Sequence, residues 1–142
     1  MVLKKASHCV YQTHYHLVFP VKYRKILLEE KVVKEIKRIA AAISERYEIE
    51  FEKIGCDKNH IHLLCSFHPK YSIGETVGKF KSITARELFK KYPELKKELW
   101  GGEFWSDGYY AATVGEGGNW EVVIQYVADQ GKDSKTEQLR LI

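Results

Sequence analysis

Two histidines one residue apart are the side chains best suited to chemistry in this sequence. His60 and His62 lie in the apolar stretch D-K-N-H-I-H-L-L-C-S-F at positions 57–67. Alternate residues of a strand share one face, so both imidazoles point the same way, with their Cβ atoms ~6.5–7 Å apart. Such a pair can bind one metal ion, although for an H-x-H pair taken alone the favoured explanation is two histidines that simply face water. His14 and His16 form a second H-x-H pair, so spacing alone does not choose between them.

Tyr126 and Gln130 form a second candidate pair, near the end of the chain. They are four residues apart and therefore share one face of the helix predicted at 119–129. The apolar stripe of that helix lies on another side and comprises Trp120, Val123, Ile124 and Val127. An exposed tyrosine that stabilises a helix edge explains the pattern equally well, so these two residues do not define a site by themselves.

The hydrophobic pattern predicts seven elements that would position these side chains. Runs rich in β-branched and aromatic residues predict strands at 8–19, 49–56, 60–67 (beginning at 59 or 60) and 104–114. A continuous apolar stripe predicts a helix at 29–47. A second helix begins at Ser72, where Glu75 completes a capping box, and ends before Pro93. The third is the helix at 119–129.

The order of these elements, β-α-β-β-α-β-α, predicts an α+β fold. Its first six members match a ferredoxin-like split β-α-β unit, with one antiparallel sheet and two helices on one face. The last helix is an addition, and three glycines before it, at positions 115, 117 and 118, predict that it can move. A length of 142 residues fits a single domain over residues 1–142.

Composition and charge narrow the possible environments and partners. A net charge of +4, from 23 basic and 19 acidic residues, permits an anionic partner without requiring one. No run of ~18 apolar residues or secretory signal occurs, so we expect no membrane partner. Three cysteines, Cys9, Cys56 and Cys65, cannot all pair and predict buried thiols in a reducing compartment, the cytoplasm.

Five stretches taken together resemble the single-tyrosine HUH transposases of small insertion sequences, the TnpA-like (IS200/IS605-type) enzymes. They are Y-H-L-V-F-P-V-K-Y-R-K (15–25), D-K-N-H-I-H-L-L (57–64), K-F-K-S-I-T-A-R (79–86), F-W-S-D-G-Y-Y-A-A-T-V-G (104–115) and Y-V-A-D-Q (126–130). The resemblance covers nearly the whole chain. It identifies His60-Ile61-His62 as the HUH motif and places His14-Tyr15-His16 in the first strand of the family.

The resemblance implies a specific activity. Members of this family work as homodimers and cut single-stranded DNA, bearing subterminal hairpins, at the ends of the element. Tyr126 matches the nucleophile that forms a 5′-phosphotyrosine, and Gln130 matches the third protein ligand of a divalent metal beside His60 and His62. Neutral ligands and open coordination positions suit Mg²⁺ or Mn²⁺. The covalent link stores the bond energy, so we expect no nucleotide cofactor.

Basic and aromatic residues are the candidates for holding DNA. The basic stretch Lys22, Tyr23, Arg24 and Lys25 follows the first strand, and the second helix carries Lys79, Lys81 and Arg86. Unpaired bases can stack on exposed aromatic rings, for which Tyr23, Trp105 and Tyr109 are candidates. Core packing is the favoured explanation for Trp105, since large aromatic side chains are mostly buried.

Other functions fit parts of the pattern. A histidine-triad nucleotide hydrolase needs a third histidine where this chain has Leu64, which argues against it. A non-catalytic ferredoxin-like module could bind nucleic acid through its sheet, but it has no use for Tyr126 and Gln130 beside a metal pair. A domesticated HUH endonuclease that acts on chromosomal repeats is a further alternative to a transposase.

Overall fold

The computed structural model describes residues 3–6, 8–114, 125, 127 and 129. Within them the strands are β1 (Lys4–Ala6), β2 (Cys9–Tyr11), β3 (Tyr15–Pro20), β4 (Ile49–Asp57), β5 (His60–Phe67) and β6 (Tyr110–Thr113). The helices are α1 (Glu30–Tyr47), α2 (Ile73–Lys91) and the short α3 (Leu95–Glu98).

Four strands form the main sheet, in the order β4-β5-β3-β6. All neighbouring pairs are antiparallel, and β5 lies inside the sheet between β4 and β3. The four strands, numbered along the chain, therefore have the spatial order 2-3-1-4 of a split β-α-β unit. This confirms the predicted α+β, ferredoxin-like fold.

The two long helices form where their local sequence favours them. α1 buries Val32, Ile36, Ile39 and Ile43 at helical spacing and ends where Glu48 adopts a left-handed backbone, with φ of 55°. α2 begins with the predicted capping box, because Ser72 and Glu75 each accept a hydrogen bond from the backbone N–H of the other. Both predicted helices are therefore confirmed.

One face of the sheet packs against these helices and forms the apolar core. Leu17 and Phe19 of β3 and Ile61 and Leu63 of β5 lie in one cluster with the buried sides of α1 and α2. Trp105 belongs to it as well: its side chain is buried and its Nε1 donates to Thr84 Oγ1 at 2.9 Å. The core packing favoured for Trp105 is confirmed, so this ring is not exposed for stacking on bases.

The ends of the sheet differ from the prediction. The first predicted strand, 8–19, is interrupted, and its beginning instead pairs with β1 in a separate two-stranded sheet. The strand predicted at 104–114 is reduced to β6, because Trp105 makes only an isolated bridge to Val21. Lys81 Nζ donates to the carbonyl oxygens of Ser106 and Gly108, which holds the intervening segment as a loop.

The prediction of a last helix at 119–129 falls mostly outside the described residues. Gln125 and Val127 are helical, and the backbone N–H of Asp129 donates to the carbonyl of Gln125 at 3.0 Å, as helical spacing requires. The three glycines and the movement predicted from them lie outside the described residues, and the single-domain assignment stays a prediction.

Two further expectations concern cysteines and membranes. The three cysteines are free thiols, but only Cys65 is fully buried, whereas Cys9 and Cys56 are half-buried. Burial raises the pKa of Cys56 to about 12, so this thiol stays protonated. In the part of the chain that the structure describes, no helix has the length and apolar character needed to cross a membrane.

Candidate metal centre

His60 and His62 lie side by side on β5 and point away from the helices. The alternation of the strand directs Ile61 and Leu63 into the helix-covered core and the two histidines to the opposite face. Both histidines are 0% exposed. The alternative in which they simply face water is therefore wrong: this face of the sheet is buried too.

The two imidazoles are close enough to share an ion. Their ring centroids are 5.0 Å apart, with an angle of 61° between the ring planes. A metal–imidazole bond is about 2 Å long, so nitrogens of both rings can reach one cation between them. The geometry of the pair thus fits the predicted role.

Each of the two rings has a defined partner at Nδ1. His60 Nδ1 donates to Asn59 Oδ1 at 3.0 Å, which leaves the lone pair of this ring on Nε2. His62 Nδ1 lies 2.9 Å from Nε2 of His16, in a buried hydrogen bond. Histidines that bind metals commonly engage their second nitrogen in this way.

The surroundings also keep the imidazoles neutral. Burial, together with the neighbouring His16 and His60, lowers the pKa of His62 to about 3. Burial likewise lowers the pKa of His16 below its ordinary value. Only a neutral imidazole has a lone pair to offer a metal, so burial favours the ligand form at neutral pH.

The hairpin turn before β5 is fixed by backbone hydrogen bonds. Val21 N–H donates to the carbonyl of Asn59 at 2.8 Å, and Leu28 N–H donates to that of Lys58 at 3.0 Å. Two segments that follow β3 therefore hold the turn, and the Asn59 side chain stays within reach of His60.

His16 of the other H-x-H pair lies on β3, on the same face of the sheet as His62 of the adjacent β5. In the β3–β5 register His16 is opposite Leu64, and Val18 is opposite His62, so His16 and His62 are diagonal neighbours. His14 has a different partner, since its Nδ1 lies 3.2 Å from Glu52 Oε1. The structure thus brings His16, but not His14, into hydrogen-bond contact with the candidate metal pair.

Tyr126 and Gln130 lie outside the described residues; Gln125 and Val127 flank Tyr126 in the chain, and Asp129 directly precedes Gln130. Val127 is buried, and its carbonyl oxygen lies so close to Gly55 that a Cβ atom there would overlap it. Gly55 is the antiparallel partner of His62. Val127 therefore meets the sheet at the register position of His62.

The donor set fits a divalent ion. Among residues 3–6, 8–114, 125, 127 and 129, no three His, Cys, Asp or Glu side chains are grouped so that they could hold a metal. The predicted set of ligands is consistent with that finding, because its third member beside His60 and His62 is the amide of Gln130 and not a His, Cys, Asp or Glu side chain. The chemistry of the two buried, neutral imidazoles agrees with that set.

The basic stretch predicted to contact DNA has an unusual backbone. Tyr23 and Arg24 both have positive φ, 58° and 51°, which is rare for residues other than glycine and is often associated with functional sites. Tyr23 Oη donates to the carbonyl of Trp100 at 3.0 Å. Lys22 Nζ lies 3.1 Å from Glu103 Oε2, whereas Tyr23, Arg24 and Lys25 are exposed.

The basic residues of α2 have three different surroundings. Lys79 lies over the rings of Tyr47 and Tyr71, 5.3 Å from each centroid. Lys81 is bonded to the loop carbonyls described above, and burial lowers its pKa. Arg86 lines a cavity of about 150 Å³ together with Arg38 and Arg46. A DNA role for all seven predicted residues stays a prediction.

Sequence reasoning missed two partners of the histidine pair. The sequence pattern places Asn59 only at or next to the start of the strand at 60–67, and it places His16 in the first strand without a function. A usable signal existed, because a metal-binding imidazole needs an acceptor for its second nitrogen. Asn59 precedes His60 directly, but the proximity of His16 to His62 follows only from the strand register.

Comparison with known proteins identifies the class to which this fold and site belong. Residues 9–130 match the family model described as "Transposase IS200 like". The ISDra2 transposase TnpA of Deinococcus radiodurans is 38% identical over 114 residues, which are 80% of this chain and 81% of that protein. The transposase of insertion sequence IS200 from Salmonella typhimurium is 29% identical over 139 residues, 97% of this chain and 90% of that one.

Comparison with solved structures also finds transposases. A crystal structure of a candidate transposase from Deinococcus radiodurans R1 superposes with a TM-score of 0.71 at 32% identity, covering 87% of this chain and 93% of that one. A REP-associated tyrosine transposase bound to a REP hairpin shares the fold, with a TM-score of 0.61 at 8% identity over 81% and 64% of the two chains. The chain belongs to the IS200-like transposase family. It is thus a DNA-binding, DNA-cleaving enzyme of transposition, and the resemblance is confirmed.

Proposed function

We propose that this transposase cleaves and rejoins single-stranded DNA at the ends of its insertion sequence through a 5′-phosphotyrosine formed on Tyr126. His60, His62 and Gln130 would hold one Mg²⁺ or Mn²⁺ ion. The observation that supports this most directly is the buried pair of imidazoles on β5, whose Nδ1 atoms both have hydrogen-bond partners. Such an arrangement presents Nε2 of both rings as ligand atoms.

The chain's own residues account for the covalent step. The phenolic oxygen of Tyr126 loses its proton and attacks the scissile phosphorus, while the bond from phosphorus to the 3′ oxygen breaks and that oxygen takes up a proton. The products are a phosphotyrosine on the 5′ side and a free 3′-OH. A bound divalent cation supplies charge that offsets the negative phosphate. Attack by another 3′-OH reverses the step and joins a new strand.

The position of Val127 supports the assignment of Tyr126. Tyr126 directly precedes Val127 in the chain, and Val127 lies against Gly55, the strand partner of His62. One nucleophilic tyrosine per chain and two element ends imply two subunits, so we propose a homodimer. Either subunit can be the one that supplies Tyr126 to a given histidine pair.

DNA with subterminal hairpins is the proposed partner. A protein that shares this fold, the REP-associated tyrosine transposase, is bound to a REP hairpin. The exposed segment of Tyr23, Arg24 and Lys25 offers two cations and an aromatic ring, the combination that suits phosphates and unpaired bases. Tyr109, 40% exposed, is a second candidate for stacking.

A strand-labelling experiment tests the covalent step. Single-stranded DNA from the element end is labelled at either its 5′ or its 3′ terminus and incubated with the protein and MgCl₂ or MnCl₂. On a denaturing gel, we expect the 3′-labelled strand to migrate with the protein and the 5′-labelled strand to give a shorter free product. Chelation of the metal should remove both signals.

Two variants make the test specific. Tyr126→Phe should abolish the covalent band while hairpin binding persists, because phenylalanine lacks the attacking oxygen. Tyr92→Phe, a half-buried tyrosine at the end of α2, is the matched control and should retain the band. Undiminished cleavage by Tyr126→Phe would refute the proposal, and chelator-insensitive binding without cleavage would favour the non-catalytic module.

A further inference from the structure

We infer that His16 is a positioning residue that holds the metal ligand His62 through the hydrogen bond between His16 Nε2 and His62 Nδ1. The two nitrogens are 2.9 Å apart, and both side chains are buried. The two rings are nearly parallel, with centroids 5.2 Å apart and 25° between their planes. This inference rests on the proposed function, in which His62 binds the divalent ion.

The geometry distinguishes this role from that of a third ligand. His16 Nε2 points at His62 Nδ1, so that atom of His16 is not directed at an ion bound by His62 Nε2. For Nε2 of His62 to carry a lone pair, Nδ1 must carry the proton and donate it to His16 Nε2. His16 then carries its own proton on Nδ1. With His16 in this tautomer, the contact holds His62 in the form that can bind a metal.

The sheet fixes the position of His16. It lies on β3, opposite Leu64 on one side and Ala112 of β6 on the other. Tyr110 of β6 packs edge-on against its ring, with centroids 6.2 Å apart. Because strand pairings on both sides and an aromatic contact restrict this side chain, it can hold His62 in one orientation.

His60 and His62 thus acquire their partners in two ways. Asn59, the neighbour of His60 in the chain, accepts from His60, whereas the partner of His62 comes from a different strand. His14 lies directly before β3, two residues from His16, and pairs with Glu52 instead. His14 therefore provides a control of the same residue type, two residues from His16 in the chain.

Metal titration of the full-length chain tests the inference without using cleavage as the readout. MnCl₂ is titrated by calorimetry into the wild type and into His16→Phe, His16→Gln and His14→Gln. We expect His16→Phe to raise the Mn²⁺ dissociation constant about 10–100-fold, because it keeps a ring but removes the acceptor. His16→Gln restores an acceptor and should recover most of the affinity, and His14→Gln should bind as the wild type does.

The outcomes separate this inference from the proposed function. A wild-type protein that binds no Mn²⁺ and cleaves no DNA would refute the proposed function and the inference with it. A wild type that binds Mn²⁺, alongside a His16→Phe variant whose dissociation constant is within about twofold of it, would overturn the role of His16 alone. Thermal unfolding of each variant shows whether the fold is retained.

A measurement on the wild type needs no substitution. Long-range ¹H–¹⁵N correlation spectra of the histidine rings report which nitrogen carries the proton. We expect His62 to be protonated at Nδ1 and unprotonated at Nε2. Protonation at Nε2 instead would mean that His16 donates to His62, and it would overturn the inference even if His16→Phe failed to fold.

Discussion

The two faces of the sheet differ in what they bury. On one face, side chains such as Phe19 and Leu63 join the helices in an apolar core. On the other, His16 and His62 are equally enclosed, beside the apolar Val18 and Leu64. Buried apolar groups stabilise the fold wherever they pack, whereas buried polar groups cost free energy unless they are hydrogen-bonded. The helix-covered face therefore provides stability, and the histidine face carries the proposed metal site.

The buried histidines of this face need hydrogen-bond partners within the protein. Each imidazole of the candidate pair has a partner at Nδ1, one from a turn and one from the neighbouring strand. Without those partners the buried nitrogens would lose hydrogen bonds they make in water, at a cost of about 1–3 kcal/mol each. The same hydrogen bonds that offset burial also orient the ligand atoms.

The largest expected effect on stability lies on the helix-covered face. Phe80 is 1% exposed and contacts the rings of Phe19, Phe51 and Trp105. Phe80→Ala removes this packing and leaves a cavity, so we expect the free energy of unfolding to fall by about 3–5 kcal/mol. Urea unfolding measures it, and Trp100→Ala, at a site 85% exposed, should leave it unchanged.

The same variant tests the division between the faces. While Phe80→Ala remains folded, its Mn²⁺ affinity should equal that of the wild type, because no ligand or partner of the histidine pair is altered. A loss of affinity as large as that of His16→Phe would show that the two faces are not independent.

An intermediate effect is expected where a backbone meets the histidine face. A Cβ at Gly55 would overlap the carbonyl oxygen of Val127, so Gly55→Ala must displace this segment. We expect the free energy of unfolding to fall by about 1–3 kcal/mol and DNA cleavage to fall with it. Gly78→Ala in α2, where nothing lies within 4 Å, should instead raise stability by up to about 1 kcal/mol.

Gly55→Ala and Gly78→Ala introduce the same methyl group, so a difference between the two variants reports the surroundings of each glycine. Unfolding in urea measures stability, and the denaturing-gel assay measures cleavage. If Gly55→Ala were as stable and as active as Gly78→Ala, Val127 would not be held against the sheet at the position of His62.

The smallest expected effect concerns a buried charge on α1, that of Glu35. Glu35 is 3% exposed and accepts from Lys91 Nζ at 3.0 Å and from Arg38. Burial acts to raise the pKa of Glu35, but the hydrogen bonds from Lys91 and Arg38 outweigh it, so its pKa is lowered. We expect Glu35→Gln to lower the free energy of unfolding by about 1–2 kcal/mol at pH 7.

The sign of the pH dependence follows from the lowered pKa. A carboxylate with a lower pKa in the folded state stabilises the fold above its ordinary pKa, and this contribution disappears as pH falls through the folded-state pKa. The difference between the wild type and Glu35→Gln should therefore be larger at pH 7 than at pH 3. An equal difference at both values would contradict the role of the charge, and Glu30→Gln, in an exposed pair with Lys34, is the control.

Local patterns made much of the fold predictable. The apolar stripe of α1, the capping box of Ser72 and Glu75, and the alternation of β5 are contained in short stretches, so each element could be located from neighbouring residues. The ends of the sheet were predicted less well. Whether the residues near Trp105 pair as a strand depends on distant partners such as Val21 and Lys81.

The amino-acid sequence by itself determined that His60 and His62 share a face and that this face is opposite the helices, because side chains alternate along any strand. Only the tertiary structure decided that both faces are buried and that His16, rather than His14, contacts His62. The reason is physical: alternation is a property of one strand, whereas the register between β3 and β5 is set by packing across residues far apart in the chain.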